Sequence, residues 1–177
     1  MLGVACASNP PVGPYTPPSA AQRDTARAQG LNREAADLLD SDPAKAEATL
    51  REALTADLFF GPAHNNLGVL FLGQGKLYEA ASEFEWAKKL MPGHPDPRVN
   101  LALVMERAGR TDEALAGYAA ALEVWSGYLP ALQGIASLTL RTGDREDPRL
   151  QGWLEEVALR GEGAWQEWAR SQVVRRR

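Results

Sequence analysis

Residues 61–94 read GPAHNNLGVLFLGQGKLYEAASEFEWAKKLMPGH. Leu67, Gly68 and Phe71 fall on one face of a helix, Gly75 interrupts, and Ala80, Phe84 and Ala87 resume the 3.6-residue stripe before Pro92 stops it. The next stretch repeats the pattern in step with Leu101, Ala102, Met105, Gly109, Ala114, Tyr118 and Ala121. Gly75, Gly109 and Gly143 stand 34 residues apart, as do Ala46, Ala80 and Ala114, and Leu50, Phe84 and Tyr118. A fixed period of this length, with small residues at set offsets, specifies a helix–turn–helix solenoid. Each unit is too thin to bury its own apolar face, so stacking supplies the core.

Outward from this stretch the pattern thins. Residues 27–60 keep the second half, with Ala46, Leu50 and Ala53; residues 129–162 keep the first half, with Ile135, Ala136 and Gly143. The expected helices run from near Ser19 to Asp40, from Asp42-Pro43 onward, then near 62–74, 77–90, 96–108, 111–125 and 129–142. Asp42 reads as an N-cap and Pro43 as the first helical residue, where its missing amide costs nothing. Gly68, Ala102 and Ala136 let paired helices approach closely. Another helix is expected from Asp147-Pro148, with Leu150, Trp153, Leu154 and Val157 on one face, broken by Gly161 and Gly163. A last helix carries Trp165, Trp168, Ala169 and Val173, and reads as a Trp-rich cap in which Trp153, Trp165 and Trp168 are mostly buried; Trp86 and Trp125 read as packing residues on second helices.

These residues resemble the tetratricopeptide repeat family, whose pattern is W-x2-L-G-x2-Y followed by Gly, Ala, Phe, Ala and Pro. The likeness covers roughly three quarters of the chain. It departs at the first Trp, replaced by His64, Arg98 and Leu132, and at the closing Pro of the third unit, replaced by Ser126. The resemblance implies an all-α, right-handed superhelix of antiparallel helix pairs. The domain plan is a tether at 1–18, repeats near 27–60, 61–94, 95–128 and a degenerate 129–160, then a capping helix and basic tail at 161–177. It also implies that first helices line a concave groove, placing Asn65, Val69, Leu72, Val99, Leu103, Arg107, Gln133 and Arg141 on a partner-binding strip. One or both of Asn65 and Asn66 are expected to bond backbone between helices. The clamp that some members use for a terminal carboxylate is not expected, because Val69, Pro130 and Gly134 replace its Asn, Lys and Arg, although Asn100 is in place. The implied work is that of an adaptor or assembly scaffold holding a protein or peptide partner.

Composition narrows the alternatives. The chain has 177 residues, 45% hydrophobic and 24% charged, and a net charge of −4. That acidic balance argues against a general nucleic-acid or anionic-membrane binder. His64 and His94 are the only histidines and Cys6 the only cysteine, too few for a metal site built on nitrogen and sulfur ligands. A Gly-rich phosphate loop, a nucleophile elbow and a Cys–His pair are all missing from the sequence. A non-enzymatic protein without cofactor or metal is therefore expected.

Residues 1–18 hold Pro10, Pro11, Pro14, Pro17 and Pro18, and read as a semi-rigid tether. Before it stands Leu2-Gly3-Val4-Ala5-Cys6, similar to the end of a bacterial lipoprotein signal, with Leu2 one step early and Gly3 in the usual Leu place. Two readings follow. Lipidated Cys6 would anchor the protein in the bacterial cell envelope, similar to repeat lipoproteins that help pilus or secretion machines assemble. Without the lipid, the chain is a cytoplasmic adaptor or self-associating scaffold.

Overall fold

Helix after helix with no strand between them makes up residues 23–175, the part that this computed structural model describes. Nine helices run in order: α1 Thr25–Leu38, α2 Pro43–Ala56, α3 Gly61–Gly73, α4 Leu77–Leu90, α5 Asp96–Arg107, α6 Thr111–Val124, α7 Leu129–Thr142, α8 Leu150–Arg160 and α9 Gly163–Arg175. The tether and Cys6 lie outside the described residues.

Local chemistry accounts for the boundaries. The Asp42 carboxylate accepts from the Lys45 amide and Pro43 opens α2. Gly75, Gly109 and Gly143 adopt φ of 74°, 75° and 85°, a left-handed turn between paired helices that any side chain would strain. Two expected starts are corrected. Helix α1 begins at Thr25 rather than near Ser19, because the Asp24 amide donates to the Ala56 carbonyl at 2.9 Å and the Asp24 side chain caps Arg27. Helix α8 begins at Leu150 rather than at Asp147-Pro148. The Asp147 carboxylate accepts from the Arg149 amide at 2.8 Å, which closes a turn ahead of the helix.

The helices stack in antiparallel pairs, α1 with α2, α3 with α4, α5 with α6. Successive first helices also touch directly, α1–α3, α3–α5 and α5–α7, whereas α2–α4 and α4–α6 have no comparable contact. The stack therefore bends with its first helices on the inner face. Close approach within pairs depends on missing side chains. A Cβ on Gly68 would sit 2.6 Å from Phe84 Cε1, and one on Gly134 would sit 2.4 Å from Tyr118 Cε1. Phe84 fills the space over Gly68 and is fully buried, together with Leu50 and Leu67. Burial of such side chains stabilises by about 1.5–3 kcal/mol each, and pays for ordering the units.

The core forms one cluster from Ala28 to Phe84 and Val104 and a second through Val99, Tyr118 and Ile135. Beyond α7 it divides into two small clusters, Leu132 with Val157 and Ala169, and Ala136 with Leu150 and Leu154. Trp153 and Trp168 pack half-buried against these clusters. Trp165 does not share that burial: it remains 41% exposed, edge-on to Trp168, because none of the described helices covers it. Trp86 and Trp125 are exposed as well, contrary to their reading as packing residues. Trp86 stacks on His64 and Trp125 leans on Tyr128, so each covers a neighbour from outside.

Candidate functional site: the inner face of the first helices

The inner face is assembled from α1, α3, α5 and α7, and side chains one repeat apart tie it together. Asn66 Nδ2 donates to Asn32 Oδ1 at 2.9 Å, and Asn100 Nδ2 donates to Asn65 Oδ1 at 3.0 Å. Arg107 Nη1 donates to the Leu72 carbonyl at 3.0 Å, and Arg141 Nη2 to Glu106 Oε1 at 2.7 Å. Tyr118 completes the last link by donating its hydroxyl to Glu106 Oε2 at 2.7 Å. Burial, followed by the neighbouring Glu106 carboxylate, pushes the Tyr118 hydroxyl above its ordinary value, so it stays a donor.

The expected role of Asn65 and Asn66 is thereby corrected. Their bonds go to other asparagine side chains, not to backbone, since the inner face brings the same or adjacent positions of neighbouring first helices together. Sequence reading missed Asn32 altogether. The signal was present: Asn32, Asn66 and Asn100 keep the 34-residue period. At the fourth place stands Gly134, where the Tyr118 ring takes the space.

The expected strip divides into surface and core. Val69 is 36% exposed and shares a depression of about 350 Å³ with Leu39, Asp40, Pro43 and Gln74. Asn65 and Gln133 are half-buried at the face, and Arg107 and Arg141 are exposed along it. Leu103 is half-buried and packs against the first core. Leu72 and Val99 are corrected: at 6% and 9% exposure they belong to the core, because the next first helix closes over them. The face therefore offers one apolar position near its first-repeat end and two guanidinium groups farther along, all on elements held in register.

A second concavity, about 440 Å³, opens between α2, α3 and α4 beside Leu54, Leu58 and Trp86. It contains His64, which is buried in the first turn of α3. Its Nε2 donates to the Leu58 carbonyl at 2.9 Å and its Nδ1 lies 2.6 Å from Glu83 Oε2. The buried ring has both nitrogens occupied within the fold, which leaves it structural.

No protein-family model and no curated protein matches the sequence. Solved structures do. The crystal structure of MamA superposes with a TM-score of 0.66 at 21% identity, over 75% of this chain and 80% of that one. PilF of Pseudomonas aeruginosa gives 0.69 at 22% identity, over 79% of this chain and 63% of that one. The first tetratricopeptide repeat domain of Spaghetti (RPAP3), bound to an HSP90 peptide, gives 0.64 at 15% identity, over 69% of this chain and 98% of that one. Paired helices at a 34-residue period, bent with first helices inward and matched by these neighbours, make the chain a tetratricopeptide-repeat solenoid by fold.

Proposed function

We propose that this protein is a non-catalytic adaptor that holds a segment of a protein partner against the inner face of its first helices. The observation that carries the reading is the set of bonds between residues 34 or 35 apart, Asn32–Asn66, Asn65–Asn100, Leu72–Arg107 and Glu106–Arg141. They fix successive first helices against one another before any partner arrives, which lowers the ordering cost of binding. An apolar side chain of the partner would anchor at Val69, and an acidic or carbonyl-rich stretch would meet Arg107 and Arg141. The peptide on the RPAP3 domain supports the general mode.

The test is selection of peptides from a displayed library on the intact chain. Selected peptides should lose binding to Val69→Glu by tenfold or more while the far-ultraviolet spectrum is unchanged. Arg107→Glu should weaken them less, and mainly at low salt. Peptides that bind Val69→Glu as tightly as the wild type would place the site elsewhere.

The finer reading sets this adaptor on a bacterial membrane through a lipidated Cys6, in support of an envelope assembly. The sequence Leu2-Gly3-Val4-Ala5-Cys6 and the five prolines behind it support that reading, as does the likeness in fold to PilF. In the source cell the wild type should then sediment with membranes and Cys6→Ser should not. A wild-type protein found wholly in the soluble fraction would leave the unanchored, cytoplasmic adaptor.

A further inference from the structure

The concavity between α2, α3 and α4 is not a product of the repeat. Leu54, Leu58, His64, Glu83 and Trp86 line it, and the residues 34 places on are Lys88, Pro92, Arg98, Gly117 and Ala120. Stacking one unit on the next therefore does not call for these side chains. Two of them are large, apolar and open to solvent: Leu58 is 47% exposed and Trp86 is 45% exposed. The Trp86 ring stacks on His64, with 5.8 Å between centroids and 18° between planes, and His64 is itself fixed by Glu83 and the Leu58 carbonyl. An aromatic side chain set firmly at the rim of a concave surface suits a segment that brings apolar groups to it.

The chain itself delivers such a segment to this place. The described residues begin at Arg23, and the first of them are fastened to the loop that carries Leu58. The Asp24 amide donates to the Ala56 carbonyl at 2.9 Å, Arg23 Nε donates to Asp57 Oδ1 at 2.8 Å, and the Arg23 guanidinium lies 5.3 Å from the centre of the Phe59 ring. Residues 10–18 read PPVGPYTPP, with five prolines, Val12 and Tyr15 and no charged side chain. Only four residues, Ser19 to Gln22, separate Pro18 from Arg23. At ~3.1 Å per residue the reach from Arg23 is about 15 Å to Pro18 and about 40 Å to Pro10, enough to lay the segment across the concavity. Proline segments suit aromatic-lined grooves, because their fixed φ leaves little freedom to lose and their missing amides need no acceptor there. Covalent attachment gives this segment an effective concentration on the order of millimolar, which sets it ahead of a foreign segment of equal chemistry. The apolar groove between α8 and α9, around Leu159 and Val174, lies at the far end of the stack from this entry point.

We propose that residues 10–18 fold back on their own chain and dock in this concavity, with a proline ring or Tyr15 against Leu58 and Trp86 and the Trp86 indole N–H donating to a carbonyl of the segment. The contact lies outside the inner face of the first helices, and it depends on neither the adaptor reading nor the lipidation of Cys6. The free length behind Cys6 then falls to three residues, Ala7 to Asn9.

The full chain with Cys6 unmodified tests it from both sides. With nitrogen-15 in the tryptophans, the wild type is compared with a chain of equal length in which residues 10–18 are replaced by glycine and serine. The Trp86 indole resonance should move between the two, while those of Trp153 and Trp168 stay. A nitroxide on Cys6, the single cysteine, should broaden the Trp86 resonance more in the wild type than in the replaced chain, at every dilution. On the segment's side, chymotrypsin should cut after Tyr15 roughly tenfold faster in Trp86→Ala and in Leu58→Ser than in the wild type, because cleavage follows the undocked population. Both variants should keep the helical spectrum. The proposal is overturned if the Trp86 resonance is the same in both chains, or if Tyr15 is cut equally fast in the wild type and the two variants. Broadening that fades on dilution would put the segment on another copy, and overturns it as well.

Discussion

The second repeat and the C-terminal end are built from similar residues but packed differently. In the second repeat, Phe84 lies over Gly68 with no exposure, and neighbours on both sides extend one continuous core. At the end, α8 and α9 carry Trp153, Leu154, Val157, Trp165 and Trp168, yet their core is split in two and Trp165 stays half in solvent. Hydrophobic content does not separate the two regions. Coverage by neighbours does: a repeat gains its burial from the units packed against it, and α9 is covered on fewer sides by the described helices. A large aromatic side chain without a facing gap remains at the surface, whereas the same class of side chain over a glycine becomes the centre of the core.

The largest test of this contrast is Phe84→Ala. It should lower stability by about 4 kcal/mol, the range for an emptied aromatic core site. Chemical denaturation should show the loss as a shifted midpoint at unchanged slope.

Next comes the first repeat's own clasp. Asp57, with a fully buried carboxylate, accepts from Arg23 Nε at 2.8 Å, from the Thr25 hydroxyl at 2.7 Å and from the Phe59 amide at 3.0 Å. Burial works against its ionisation, but the bonds from Arg23, Thr25 and Phe59 prevail and hold the carboxyl below the usual carboxylate value. Its stabilising contribution is present in full above the unfolded value near 4 and is lost as pH falls through the lower folded value. Asp57→Asn should cost about 3 kcal/mol at neutral pH. It should also flatten the acid limb of a stability–pH curve, and an acid limb as steep as the wild type's would show that other carboxylates set it.

Gly109→Ala should cost about 1 kcal/mol, because φ of 75° strains a residue with a Cβ although the space around it is open. An unchanged melting temperature would mean that the turn relaxes. The smallest effect is expected of Trp165→Ala, under about 1 kcal/mol. A loss as large as that of Phe84→Ala would show the end to be packed as tightly as the interior.

Much of the architecture was legible because it rests on spacing. The glycines at 75, 109 and 143 mark turns that require positive φ, and the small residue at Gly68 marks a helix contact. Both are local or pairwise demands that recur with the period. Less of the inner face was legible. On the expected partner-binding strip Val69 is exposed, whereas Leu72 and Val99 have the same helical spacing and are buried. Periodicity locates a face of a helix; it does not say how far the adjacent helix leans over that face. The asparagine bonds show the same limit. Asn32, Asn66 and Asn100 keep register, but Asn100 bonds Asn65 rather than Asn66, a choice set by the offset between α3 and α5.

By itself, then, the sequence determined the helices, their turns and the repeat that stacks them, since propensity, glycine stereochemistry and apolar period are properties of short segments. The tertiary structure alone decided which side chains on those helices became surface. Exposure of Val69, burial of Val99 and the bare aliphatic groove of α8 and α9 depend on which side chains a neighbouring helix covers, a matter of tertiary packing that no short segment specifies.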